Sequence, residues 1–439
     1  MRDFFALEQN GTTVRTEITA GVTTFMTMAY ILCVQPAVLA VAGMDPGAVL
    51  IASCLASALA TLLMGLMANY PVALAPALGH NFFFAYTVCG VMGVSWQAAM
   101  GANFVAGLLF LLLTLLNLQG RLISAIPTSL RHGIAVGIGL FIALIGLRWA
   151  GVVVGNPASL VTLGDLGSRP VLVSLAVLTL TSVLMVYRVR GAILLGILFG
   201  VVLAVPLGVA KFHGILSGPP SLAPTFLAFR LEPLFQSGDL WIVVFVLLFL
   251  DVFDTMGTLV GVAYQGGFLK DGRLPRARAA FTSDAVGTVG GVCLGTTTVT
   301  SFIESATGIA VGGRTGLTAV TCAVLFILSI FLYPLIRTIG EGYVLTDGIT
   351  LYPLTAPALI IVGSFMMKSA GKIEWDDPIA ALPAFLTMLM IPLTFSITEG
   401  IAFGFVSSSI LYLLSGRLGE SHPLLHIVSV LFLVRWLFF

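Results

Sequence analysis

Two carboxylates stand in the middle of an otherwise apolar run. In Leu250-Asp251-Val252-Phe253-Asp254-Thr255-Met256-Gly257-Thr258 the polar positions recur at i, i+3, i+4 and i+7. Asp251, Asp254, Thr255 and Thr258 therefore share one face of a helix. A third acid, Glu304, follows the β-branched run Thr296-Thr297-Thr298-Val299-Thr300. An ionised acid at mid-bilayer costs about 3 kcal/mol or more, so these groups must face a cavity or one another. A carboxyl in a dehydrated site favours its neutral form and can carry a proton near neutral pH. A carboxyl also accepts directional hydrogen bonds from the N–H edge of a heterocycle. Asp254, Glu304 and Asp251 are thus candidates for proton handling, and Asp254 and Glu304 also for solute recognition. The competing reading is a cap or pair inside a bundle, and it weighs most on Asp251. His80 could join a proton path or simply be hydrogen-bonded to a neighbouring half-helix.

What must position these groups follows from composition. Of 439 residues, 58% are hydrophobic and 9% charged, and the mean hydropathy is +1.09. A soluble domain carries roughly 25% charged residues, so lipid must cover most of this surface. The net charge of +1 with no basic patch argues against a nucleic-acid partner. Cys33, Cys54, Cys89, Cys293 and Cys322 are scattered through apolar runs without metal-ligand spacing, as small buried hydrophobes would be. No nucleophile–base or metal constellation appears, which argues against an enzyme and against a cofactor. The polar stretch before residue 18 lacks a signal-peptide core, so the first crossing is expected to serve as the targeting signal.

A crossing needs about 20 apolar residues. Candidates are 18–43, 46–68, 70–91, 96–118, 133–151, 170–187, 191–210, 240–264, 277–294, 295–311, 315–337, 348–367, 379–394 and 402–414. With the N-terminus inside, 15 of the 20 Lys and Arg fall on the inner side and 5 on the outer, as the positive-inside rule requires. The inner set includes Arg121, the cluster Lys270, Arg273, Arg276 and Arg278, and Arg435 near the C-terminus. The residues after 416 are expected to be a cytoplasmic or interfacial tail, which puts both termini in the cytoplasm.

Two of these stretches are broken. Pro71 to Pro76 precedes Ala77-Leu78-Gly79-His80-Asn81-Phe82-Phe83-Phe84, and Gly295 to Thr300 precedes Ser301-Phe302-Ile303-Glu304-Ser305. Each begins extended and turns helical. They are the third and tenth crossings, in equivalent places if the chain is two seven-crossing halves, and an odd number per half inverts one half against the other. Discontinuous segments matched across inverted halves mark a transporter's binding site, because extended backbone at mid-membrane is tolerated only where protein encloses a cavity. Asn81 offers both donor and acceptor there. One or two of the phenylalanines, Phe82 and Phe83 first, could stack on a flat base. Ser305 adjoins Glu304. The first crossing carries its own polar stripe, Thr23, Thr27 and Tyr30, where helix–helix packing is the default because hydroxyls inside membrane bundles often bond back to their own helix. Gln35 could serve either purpose.

The motifs Thr23 to Tyr30, Asn81-Phe-Phe-Phe-Ala-Tyr-Thr-Val88, Asp254-Thr-Met-Gly-Thr-Leu-Val-Gly-Val262, Asp284-Ala-Val-Gly287, Val299-Thr-Ser-Phe-Ile-Glu-Ser305, Gly312 to Ala319 and Leu382 to Thr387 run nearly end to end. Together they resemble the hypoxanthine, guanine and adenine permeases of the nucleobase–ascorbate transporter superfamily. The resemblance implies an all-α polytopic fold of about fourteen segments, a uracil-permease-like 7+7 inverted repeat with short strand-like breaks in segments three and ten. Repeat one would occupy 1–212 and repeat two 239–415, joined by an extracellular linker at 213–238. Segments one to four and eight to eleven would form the core, and five to seven with twelve to fourteen the gate. It further implies proton-coupled uptake of a purine nucleobase (hypoxanthine or guanine first, adenine next) across the bacterial inner membrane, and a homodimer. Asp254, Glu304 and Asn81 match the family's eighth-segment acid, tenth-segment acid and third-segment amide, and Phe82, Phe83, Ser305 and Thr27 complete the expected contacts. Two departures stand out. His80 replaces the Leu of the usual Gly-Met-Gly-Leu-Asn, and Ile379-Ala380 stand where a Thr-Glu pair is common. The other class open to this architecture is an anion transporter or channel, but its site should present a cation, and Arg314 lies beyond a Gly-Gly turn.

Overall fold

A computed structural model describes residues 2–118, 126–236, 238–268, 274–345 and 349–438. Arg121, Lys270, Arg273 and the start of the expected 348–367 segment lie outside the described residues. After a turn of helix, α1 (Arg2–Phe5), the first crossing is two helices, α2 (Val14–Met28) and α3 (Ile31–Val41), followed by α4 (Pro46–Leu63). Strand β1 (Leu74–Pro76) leads into α5 (Leu78–Phe82), which continues as a wider π-helical stretch over Phe83–Val91. Next come α6 (Trp96–Leu115), α7 (Thr128–Trp149), a hairpin of β2 (Val153–Asn156) and β3 (Leu160–Leu163), α8 (Arg169–Val186) and α9 (Ala192–Ala204). The second half holds α10 (Gly238–Gly266), α11 (Ala277–Leu294), β4 (Val299–Ser301), α12 (Ser305–Ala310), α13 (Gly316–Leu328), α14 (Tyr333–Gly340), a hairpin of β5 (Tyr343–Val344) and β6 (Thr350–Leu351), α15 (Ala356–Met366), α16 (Pro378–Thr394), α17 (Ile397–Leu414) and α18 (Pro423–Phe438). Eight helical stretches among the described residues are long and apolar enough to cross a membrane, and α9, α16 and α18 are shorter apolar helices.

Local chemistry explains the boundaries. Asp45 accepts from Ala48 N at 2.8 Å and Pro46 opens α4, a side-chain cap followed by a residue with no N–H to lose. Ser396 accepts from Glu399 N at 3.2 Å, so the last of the fourteen expected segments starts at Ile397 rather than 402. The segment expected at 348–367 is helical only from Ala356, because Tyr343–Val344 and Thr350–Leu351 pair as a hairpin. The first crossing divides at Ala29–Tyr30, and Pro36 sits inside α3.

The two interrupted segments meet. β1 and β4 pair antiparallel with Leu74 opposite Ser301, Ala75 opposite Thr300 and Pro76 opposite Val299. Ala77 N donates to Thr298 O at 2.9 Å and Phe302 N to Ala73 O at 3.0 Å, which extends the ladder at both ends. Thr61 of α4 bonds both backbone groups of Leu74, donating to its O at 3.0 Å and accepting from its N at 2.9 Å. Thr288 of α11 does the same to Val299, at 2.9 and 3.2 Å. Each strand's outer edge is thus satisfied by one threonine from the preceding helix, which is what a buried two-stranded ribbon requires.

Around this ribbon, α2 packs on α12 and α13, α6 on α10 and α11, and α4 on α11. A second group, α7, α15, α16 and α17, packs largely on itself, and α8 pairs with α9. The residues after 416, expected as a cytoplasmic or interfacial tail, are mostly helix, with α18 antiparallel along α17.

Candidate functional site

Four acids converge beside the β1–β4 ribbon. On α10 the polar stripe splits into two edges. Asp251 and Thr255 are fully buried, Thr258 is half-buried, and Asp254 is exposed. The buried edge touches both broken segments. Thr255 Oγ1 lies 3.1 Å from Thr300 Oγ1 of β4, and Asp251 Oδ1 lies 3.4 Å from His80 Nε2 of α5. Asp284 of α11 accepts from Ser301 N at 3.1 Å and Ser301 Oγ at 3.2 Å, so it anchors the end of β4.

The open edge is the chemical one. Asp254, Gly257 and Gly261 occupy one face of α10 at i, i+3 and i+7. A side chain built at Gly257 would meet nothing within 4 Å, whereas one at Gly261 would meet Ile303 at 3.5 Å. Ile303 is 44% exposed and Glu304 half-buried, so an open space separates this face of α10 from the turn that begins α12. Asp254 and Glu304 border it within electrostatic range of each other. Glu304 stands at the N-cap position of α12 and accepts a hydrogen bond from Tyr30 Oη at 2.8 Å. Asp254 makes no side-chain hydrogen bond among the described residues. One carboxylate is therefore oriented by a hydrogen bond, and the other carries none among the described residues.

The remaining candidates fall into place around this pair. Thr27 is half-buried. Its Oγ1 bonds back to Thr24 O at 2.8 Å and meets Thr307 Oγ1 at 3.0 Å, which places it one turn from Tyr30 on the Glu304 side. Ser305 is buried and its Oγ accepts from Ala73 N at 3.0 Å, tying α12 to β1. Asn81 is fully buried, and its amide is spent on structure. It donates to Gln35 Oε1 and accepts from Thr297 Oγ1 and from Gln35 Nε2. Gln35 in turn donates to Thr296 and Thr297 Oγ1, both at 3.1 Å. Phe82 and Phe83 are fully buried. Phe82 stacks on Tyr86 at 5.9 Å between centroids and meets Phe141 and Trp149 at 6.4 Å. The structure thus brings Asp254, Glu304 and Thr27 to the open space, and sets Asn81, Phe82, Phe83 and Ser305 in the wall behind it.

Three participants escaped sequence reasoning. Tyr30 was assigned to helix packing with its stripe, yet it orients Glu304. Gln35 was left undecided and is the hub between the two broken segments. Asp284 stood in a recognised motif but received no role. Only the polarity of these residues inside apolar runs could have singled them out.

A separate cavity of about 340 Å³ is lined by Gly208, Lys211, Thr338, Glu341, Tyr343 and Pro353 among others. It contains none of the four acids.

The sequence profile of the Permease family (Xan_ur_permease) matches residues 15–403. The chain is 43% identical to the adenine permease AdeP of Escherichia coli K12, over 99% of this chain and 95% of that protein. It is 42% identical to the guanine/hypoxanthine permease PbuG of Bacillus subtilis 168 over the full length of both. Among solved structures, the transmembrane domain of the bicarbonate transporter BicA of a cyanobacterium superposes with a TM-score of 0.64, covering 88% of this chain and 97% of that one at 14% identity. That likeness establishes the fold alone.

Proposed function

The chain belongs to the Permease family, and from that premise we propose that it takes up purine nucleobases, hypoxanthine or guanine first and adenine next, together with a proton. It is a multi-pass membrane transporter rather than an enzyme. The substrate class rests on the full-length relatives, which carry adenine in one case and guanine or hypoxanthine in the other. The observation that carries the mechanism is the pairing of a fixed and a free carboxylate across one open space. Glu304, oriented by Tyr30, accepts the N–H edge of the base with directional specificity. Asp254 takes the proton, and Asp251 with His80 relays or stores charge behind it. Inward passage of one proton contributes about 2.3 kcal/mol per 100 mV, which drives accumulation when both ligands are released inside.

Support for two inverted halves comes from the matched devices on the ribbon. Thr61 holds Leu74 as Thr288 holds Val299, and α2 against α13 mirrors α10 against α6. On this reading fourteen segments form a 7+7 repeat, with the core built from segments one to four and eight to eleven. The self-packed group α7, α15, α16 and α17, with α8 and α9, is the gate. A homodimer in the inner membrane with a cytoplasmic N-terminus follows from the family resemblance and the Lys/Arg bias.

The anion reading fits the BicA-like fold but not the site. Among the described residues no basic side chain faces Asp254 and Glu304. Arg314 donates instead to the Ile309 and Gly313 carbonyls at 2.7 and 2.8 Å.

The assignment is tested by uptake of radiolabelled hypoxanthine into energised cells with unlabelled bases as competitors. Purines are expected to compete and a protonophore to abolish accumulation; uptake indifferent to the protonophore would refute coupling. Tyr30→Phe leaves Glu304 without its orienting hydrogen bond, a loss of about 1.5 kcal/mol, so KM should rise roughly tenfold with the protein level unchanged. An unaltered KM would assign Tyr30 to packing alone. His80→Leu removes the partner 3.4 Å from Asp251 and should shift the pH optimum or the preference among purines. No change in either would make the His80–Asp251 contact structural.

A further inference from the structure

The C-terminal helix α18 runs beside α17 for its whole length, in the opposite direction. Near its start His426 Nδ1 meets Ser409 Oγ at 2.7 Å, in its middle Ser429 Oγ donates to Phe405 O at 2.8 Å, and at its end Trp436 Nε1 donates to Glu399 Oε2 at 2.8 Å. Phe432 meets Phe405 with ring centroids 6.3 Å apart, and Trp436 meets Phe403 at 4.9 Å. The contacts step along both helices in opposite register, from the last turns of α17 back to its first. At 1.5 Å per residue, sixteen residues cover about 24 Å, close to the eighteen of the spanning helix α17.

The two faces of α18 differ in what they meet. Leu425, Val428, Ser429 and Phe432 are buried, at the i, i+3, i+4 and i+7 spacing of a helix seam. The opposite side exposes Ile427, Val430, Leu431, Val434 and Leu437, between 43% and 76% each. No charge interrupts the helix between His426 and Arg435. An interfacial helix carries a polar, commonly basic face toward water, and α18 has none.

Its one arginine is paired at the far end. Arg435 Nη1 lies 2.6 Å from Glu399 Oε1 at the start of α17, and its Nε lies 3.9 Å from Asp239 Oδ1 at the start of α10. The preceding loop has its own charge cluster at the opposite end of α17, where Arg417 pairs with Glu420 at 2.6 Å and with Asp377 at 3.2 Å.

We propose that α18 is a further membrane crossing whose outer face meets lipid acyl chains. It would carry the C-terminus to the face opposite the Arg417 loop, where Arg435 clasps Glu399 and Asp239. The chain then crosses once more than the fourteen segments, and its two termini lie on opposite sides. With the Lys/Arg bias setting the loop inside, the C-terminus is extracytoplasmic, in place of the cytoplasmic tail expected from sequence.

The test compares Gly419→Cys, in the loop, with Leu437→Cys, at the exposed end of α18, each in the full-length chain. A membrane-impermeant maleimide is applied to intact cells and to inverted vesicles. The native cysteines are buried or half-buried, so the parent chain supplies the baseline. Leu437→Cys should label in intact cells and Gly419→Cys only in inverted vesicles. Labelling of both from the same side would overturn the proposal. A protease-cleavable tag appended to the C-terminus gives an independent readout, with removal expected from intact cells. Its loss only from inverted vesicles would equally overturn the crossing.

Discussion

Replacing Glu304 by glutamine is expected to reduce purine uptake by roughly 10- to 100-fold, in accumulation and in exchange alike. The carboxylate accepts from Tyr30 Oη at 2.8 Å and keeps a lone-pair edge toward the open space, where it can accept from a base. Glutamine has the same shape but presents a donor on one side, so it cannot satisfy both the tyrosine and an N–H edge. Hydrogen bonds to charged groups contribute about 1.5–3 kcal/mol, which sets the expected factor at about 1.4 kcal/mol per decade. Because the loss is in recognition, exchange of labelled for unlabelled base across the membrane should fall together with net uptake. Wild-type exchange by Glu304→Gln would remove Glu304 from the binding site.

Asp254→Asn should separate the two activities. Asp254 has no hydrogen-bonded partner among the described residues, and the open space beside Gly257 leaves room for proton access. Asparagine keeps the volume and an acceptor oxygen but carries no titratable proton. Concentrative uptake should therefore vanish, a loss of about 50-fold in accumulation ratio for each 100 mV that one proton would have coupled. Exchange at equal pH should persist within a few-fold of wild type. Full accumulation by Asp254→Asn would place the coupling proton elsewhere, with Asp251 and His80 next in line. Measured side by side, the two variants assign recognition and coupling to different carboxylates.

Much of this site was legible in the sequence, for identifiable reasons. Acids inside apolar runs are costly in lipid, so Asp251, Asp254 and Glu304 announced themselves. Proline in one segment and a β-branched run in the other interrupt helical order, so the two breaks could be matched before their strands were seen to pair. The division of labour was less visible. Asn81 looked like a ligand because an amide suits a base, but an amide equally suits Gln35 and Thr297, and only the fold says which partner is near. Tyr30 and Glu304 are 274 positions apart, and nothing in a helical stripe of hydroxyls distinguishes one that bonds back to its own helix, as Thr23 does to Thr19 O at 2.8 Å, from one that reaches across. Glu17 shows the opposite case. A buried acid in α2, it accepts from the backbone of Arg314, Thr315 and Thr318 and so caps α13. The apolar stretch after 416 reads as a cytoplasmic or interfacial tail, and the relation of α18 to α17 is a matter of packing rather than of pattern.

The account turns on the space between α10 and the turn at Glu304 being where the purine sits. Gly257→Cys introduces a thiol there, on an added carbon with nothing within 4 Å. The direct measurement is the rate at which a small maleimide labels that thiol, with and without hypoxanthine or guanine, relative to the parent chain. Saturating purine is expected to slow labelling in a concentration-dependent way, while a pyrimidine that is not transported leaves the rate unchanged. A rate unaffected by any transported purine at saturation would contradict the placement and the mechanism built on it.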